Sequence, residues 1–176
     1  MNIFVLSTGR CGSMTFSKAC QHMSNYTASH ESRLPFINEQ RLAYPDNHIE
    51  ADNRLCWILG RLEQSYGNDA FYIHLSRDKR LVAESYARRK EFGIMKAYRE
   101  GLLLGGNSTH ADIDIALDYI HTIEANISLF LKNKTDTMQF QLENAKRDFE
   151  LLWKRIGAEG NIVDALNEWN VNYNTS

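Results

Sequence analysis

Apolar and polar positions along the chain fall into alternating short strand-like runs and longer helical stripes. Asn2-Ile-Phe-Val-Leu-Ser7 is a β-branched and aromatic run that stops at Thr8-Gly9, a pattern that predicts a buried strand. After a Gly/Ser loop, Ser13 to His22 favours a helix, with Ser13 placed to cap it and Met14, Ala19 and Met23 on its inner face. A brief extended piece, Tyr26 to Ser29, precedes His30-Glu31-Ser32-Arg33, and Pro35 then sets off a loop or irregular helix. Asp52 is placed to cap a helix striped by Leu55, Ile58, Leu59 and Leu62 and ending near Gly67.

Phe71-Tyr-Ile-His-Leu75 predicts a second strand, and it runs through Ser76-Arg77-Asp78-Lys79-Arg80 into a helix carrying Leu81, Val82, Ser85 and Tyr86. Gly105-Gly106-Asn107-Ser108 breaks the chain before a long amphipathic helix from about Asp112 to Leu131. Thr137 to Leu142 alternates as a strand does, Asn144 to Ile156 reads as a helix closed by Gly157, and an Asn-rich tail follows Trp169. Strand–loop–helix occurring twice predicts an α/β fold, a three-layer α/β/α sandwich with a mainly parallel sheet. No repeat or linker divides the 176 residues, so a single domain over 1–176 is expected.

Composition narrows the picture. A hydrophobic share of 43% with a net charge of −2 fits a folded protein without a global bias toward nucleic acid or an anionic membrane. Any anion site must therefore be local. The opening apolar run is too short for a signal-peptide core or a span, which makes the cytoplasm the expected compartment. Cys11, Cys20 and Cys56 form no CxxC pair and no cluster at metal-ligand spacing, so reduced thiols and no metal site are expected.

Ser7-Thr-Gly-Arg-Cys-Gly-Ser13 lies between the first strand and the first helix, where free N–H groups and the positive helix end attract an anion. Gly9 and Gly12 permit close approach of the backbone, Arg10 adds a permanent charge, and Ser13 and Thr15 add hydroxyl donors. The loop lacks the lysine and the glycine spacing of the nucleotide-triphosphatase signature, which disfavours ATP and GTP.

The stretch Ser-Thr-Gly-Arg-Cys-Gly-Ser resembles the 5′-phosphosulfate loop of sulfotransferases that use 3′-phosphoadenosine 5′-phosphosulfate (PAPS), with Arg10 in the basic position. That superfamily carries a second motif, an Arg at a strand end followed eight residues on by a Ser, and Arg77 and Ser85 have this spacing. The resemblance implies a P-loop-like sulfotransferase architecture and PAPS as donor, with PAP as product and no metal. It places the cofactor on Thr8, Gly9, Arg10, Cys11, Gly12, Ser13, Met14, Thr15, Arg77 and Ser85. His30-Glu31-Ser32-Arg33 is similar to an acidic segment of the tyrosylprotein sulfotransferase branch. That similarity makes Glu31 the candidate base, with His30 its competitor because histidine titrates nearest neutrality, and it puts Arg33 at the acceptor. Arg10 is the implied leaving-group residue.

Met14 stands where cytosolic members have a hydroxyl residue, Thr15 stands where they have a tryptophan near the adenine, and their late Arg-Lys-Gly segment is not evident. The acceptor, whether small molecule, carbohydrate or peptide, and the oligomeric state are not legible. Two rivals remain at this point: a non-catalytic nucleotide- or phosphate-binding protein of the same fold, and a P-loop small-molecule kinase.

Overall fold

The structure is a computed structural model and describes residues 1–105, 109–171 and 173. The Gly106-Asn107-Ser108 part of the expected break and part of the Asn-rich tail lie outside the described residues.

Five strands form one parallel sheet: β1 (Asn2–Leu6), β2 (Thr27–His30), β3 (His48–Ala51), β4 (Ala70–Ser76) and β5 (Thr137–Gln141), in the order β2-β3-β1-β4-β5. Helix α1 (Ser13–Cys20) packs over β2 and β3 and joins α6 (Ala145–Arg155) and α7 (Ile162–Asn167) in one layer, while α2 (Leu59–Tyr66), α3 (Lys79–Ala87) and α5 (Asp112–Leu131) pack together in the other. Between α3 and α5, a short α4 (Gly93–Ala97) continues into a π-helical turn, Tyr98–Leu102. The three-layer α/β/α sandwich is thus the observed architecture.

With helices on both faces, a central strand must be apolar throughout. Ile3, Phe4, Val5 and Leu6 of β1 are all fully buried. The sheet register decides where the site forms. His30 of β2 pairs with Ala51 of β3, Val5 of β1 pairs with the same Ala51, and Leu6 pairs with His74 of β4. The segments that leave these four strand ends, beginning at Glu31, Asp52, Ser7 and, with β4 running two residues past the His74 pairing, Arg77, therefore emerge close together at the C-terminal edge of the sheet, where ligands of open α/β sheets bind.

The structure corrects the sequence reading in four places. Strand β3 replaces part of the expected loop after Pro35. Its His-Ile-Glu-Ala sequence hides a strand because Glu50, although fully buried, is satisfied by Ser32 from another segment, through its amide at 2.7 Å and its hydroxyl at 2.6 Å, and by His48 Nε2 of the same strand at 3.1 Å. Asp52 does act as a cap, accepting from the Arg54 amide, but of a 3₁₀ turn (Asn53–Trp57), and α2 starts only after the break at Ile58. Ser13 does not cap α1. Gly12 stands at the cap position in a left-handed conformation, and the Ser13 hydroxyl turns to His30 instead. Helices α4 and α7 had not been expected.

Candidate active site

The loop from Ser7 to Gly12 turns through three left-handed residues, Gly9 (φ 87°), Arg10 (φ 59°) and Gly12 (φ 85°). For Arg10 that conformation is strained, a cost of order 1 kcal/mol that the surroundings must offset. They do so by binding the loop's carbonyls. Tyr86 and Tyr119 both donate their phenols to Thr8 O, at 2.6 and 2.7 Å, and Arg77 Nη1 donates to Arg10 O at 3.2 Å. Burial raises both phenols' pKa values, which keeps them protonated donors. Gly9 is required by the same packing, since a Cβ there would lie 2.1 Å from the Tyr86 hydroxyl. The first-turn N–H groups of α1 lack helical partners, and a helix N-terminus beside Arg10 favours a negative charge.

Arg10 reaches across to α3, where its Nε donates to the Ser85 hydroxyl at 2.9 Å. Ser85 is buried, one face of α3 having been turned toward the loop by Val82 and Tyr86 in the core. Arg10, Arg77, Ser85 and Arg88 form one wall of a cavity of about 560 Å³ that Gly12 and Thr15 also border. Burial, then the neighbouring charges of Arg89, Arg77 and Arg88, lower the Arg10 guanidinium below its ordinary value. Such a group of like charges in a chain of net charge −2 has the chemistry to attract an anion.

A second cavity, about 270 Å³, opens on the other side of the loop and shares Arg10 and Gly12 with the first. Its polar wall holds Ser13, His30, Glu31 and Arg54, and Arg89, Phe92 and Ile94 lie opposite. His30 Nε2 is 2.9 Å from the Ser13 hydroxyl. Glu31 pairs with Arg54 Nη1 at 2.8 Å and is itself left-handed, at φ 52°. Its turn is fixed from two sides. The Glu31 amide donates to Ala51 O at 3.1 Å, and Ser32 is held by Glu50.

Of the residues singled out in the sequence, Gly9, Arg10, Gly12, Ser13, Thr15, His30, Glu31, Arg77 and Ser85 all border one cavity or both. Thr8 and Cys11 are buried, bond to each other and to Gly9 O, and border neither cavity. Met14 borders neither cavity. Arg33 lies outside as well, its guanidinium over Phe36 at 5.1 Å and Tyr44 at 5.8 Å. Lys79 and Arg80, on the first turn of α3, pair with Glu124 and Glu84. Arg88 and Arg89, one helical turn past Ser85, border the cavities. Arg54, Phe92, Leu142 and Trp169 carried no local signal, since each meets the site only through tertiary packing.

This three-layer α/β/α architecture is the fold of a sulfotransferase domain. The chain superposes on the sulfotransferase domain from the curacin biosynthetic pathway with a TM-score of 0.64 and 16% identity, over 98% of this chain and 75% of that one. No protein-family model matches the sequence, and no curated protein matches it. The shared property is the fold. Among the described residues no helix is long and apolar enough to cross a membrane, and no three His, Cys, Asp or Glu residues converge as a metal site.

Proposed function

We propose that the protein transfers a sulfuryl group from PAPS to a hydroxyl or amine acceptor. The observation that carries this reading is the meeting of two cavities at Arg10 and Gly12, one walled by arginines and the other holding a histidine and a carboxylate. When bound, PAPS supplies an electrophilic sulfur whose bond to the 5′-phosphate breaks as the acceptor oxygen or nitrogen attacks. Arg77 and Ser85 are suited to hold the 3′-phosphate, and the α1 amides with Arg10 to hold the 5′-phosphate and stabilise the charge left on it. Arg10 borders both cavities, which supports its leaving-group role.

The acceptor's proton passes to a group in the smaller cavity. The contact of His30 with Ser13, on the loop itself, supports the imidazole in this role. The Glu31 carboxylate is engaged by Arg54 Nη1 at 2.8 Å, leaving Glu31 and Arg54 to orient the acceptor.

Calorimetry with PAP and with Mg·ATP, followed by turnover of labelled PAPS on a panel of alcohol, sugar, peptide and amine acceptors, tests the reading. PAP binding in the micromolar range, with turnover reduced at least about a hundredfold in Arg10→Ala and more strongly in His30→Asn than in Glu31→Gln, is the expected result. Preferential Mg·ATP binding would make the chain a kinase, and PAP binding without turnover on any acceptor would make it a binding protein.

A further inference from the structure

We propose that the C-terminal turn of the chain, Glu168 to Val171, forms the subsite for the nucleotide's base, an inference that rests on the donor reading above. The larger cavity has two unlike walls. Arg10, Arg77, Ser85 and Arg88, with Glu84 and Leu81 of α3 beside them, make one of them predominantly cationic and hydrogen-bonding, whereas Leu142, Trp169 and Val171 make the other mostly apolar. Phosphates alone use only the first wall. A ligand with phosphates at one end and a flat, uncharged ring at the other uses both, and at about 560 Å³ the cavity lies in the range of small-molecule sites.

The apolar wall is built, rather than a loose tail lying across a cleft. The Trp169 indole stacks on Phe140 (5.5 Å between centroids, 29° between planes) and meets Phe16 and Phe149 at 6.1 and 5.8 Å. These three rings fix its plane, and Trp169, only partly buried, borders the cavity. The turn is also anchored at both ends by polar contacts. Glu168 pairs with His22, just beyond α1, at 2.9 Å, and the Asn170 side chain accepts from Lys146 Nζ of α6 at 2.7 Å. Val171, 48% exposed, follows directly. On the loop side the cavity is bordered by Thr15, a small residue that offers no ring, so the aromatic surface available to a base in this cavity comes from the chain's other end. Base–aromatic stacking is tolerant of ring identity, so the wall prefers a purine over a smaller ring by contact area rather than by hydrogen-bond pattern.

The test compares PAP with ribose 3,5-bisphosphate, which carries the same phosphates and no base, by calorimetry on the wild-type chain and on Trp169→Leu and Val171→Asp. Trp169→Leu removes the platform while keeping the position apolar. Val171→Asp sets a carboxylate beside the base from a solvent-facing position that the core does not need. Any repulsion of the phosphates acts on both ligands and cancels in the ratio of their affinities. The wild-type chain is expected to prefer PAP by about tenfold or more, the worth of one stacked base, and the ratio is expected to fall to about one or two in each variant. A ratio unchanged in both variants, or a wild-type chain that binds the two ligands equally, would overturn the base subsite and leave the donor reading standing. A wild-type chain that binds neither ligand would overturn both.

Discussion

Arg10 and Ser85, 75 residues apart in sequence, are joined by a 2.9 Å hydrogen bond from the guanidinium Nε to the hydroxyl. The bond makes the glycine loop and helix α3 one unit, because Tyr86, the next residue on α3, also donates to the loop at Thr8 O. Nucleotide binding is therefore expected to respond to both sides of the clamp. Ser85→Ala removes the acceptor of the Arg10 bond and a donor for phosphate, and should weaken PAP about tenfold, the worth of one charge-assisted hydrogen bond. Arg77→Ala also frees the Arg10 carbonyl and should cost more. Calorimetry on the two variants measures the difference, and equal affinities in wild type and both variants would contradict the clamp.

Gly9→Ala should damage the loop. A Cβ at Gly9 meets the Tyr86 oxygen at 2.1 Å and the Asn53 amide nitrogen at 2.8 Å, at φ +87°, so both strain and collision oppose it. A loss of about 2 kcal/mol or more is expected in thermal unfolding. Gly60, in α2, provides the control, because nothing lies within 4 Å of its added Cβ and its φ is ordinary. Gly60→Ala should be neutral or stabilising by about 0.5 kcal/mol.

The three thiols should be inert in the folded state. Burial pushes Cys11 up to about 11 and Cys56 up to about 12, and raises Cys20 as well. All three are buried, so reaction with a thiol reagent at pH 8 should be slow in buffer and fast in denaturant. Rapid modification of Cys11 in the native protein would show that the loop opens.

Glu50 should couple stability to pH. Burial by itself would raise its carboxyl, but hydrogen bonds from His48 and Ser32 outweigh it and hold the pKa below the ordinary carboxylate value. A folded-state pKa below the unfolded one means a contribution that is complete above the unfolded value and lost as pH falls through the folded one. Glu50→Gln should thus destabilise by about 1–3 kcal/mol at pH 7, with the gap from wild type closing below about pH 4. Denaturant unfolding at a series of pH values measures it. Because Glu50 holds Ser32, the variant should also loosen the turn that carries Glu31.

What was legible in the sequence was local in origin. The strand of Ile3 to Leu6, the glycines that allow the loop's left-handed turns, the 20-residue helix α5 and the spacing of Arg77 and Ser85 follow from backbone preference and from hydrophobic period. Each needs only its neighbours in the chain. Glu50 shows the limit, because a carboxylate inside a strand reads as surface until Ser32 and His48 are seen around it. Ser13 shows another, since its hydroxyl chose His30 over the helix end.

By itself, then, the sequence determined strands β1, β4 and β5, helices α1, α3, α5 and α6, the glycine turn at the end of β1 and the spacing of Arg77 and Ser85. Tertiary structure decided the rest. The parallel register brought four strand ends close together and so placed His30, Glu31 and Arg54 across the loop from Arg77, and helix packing carried Trp169 from the far end of the chain to the wall of the larger cavity. A cavity is the space between segments remote in sequence, and its shape exists only once long-range packing has set their distances.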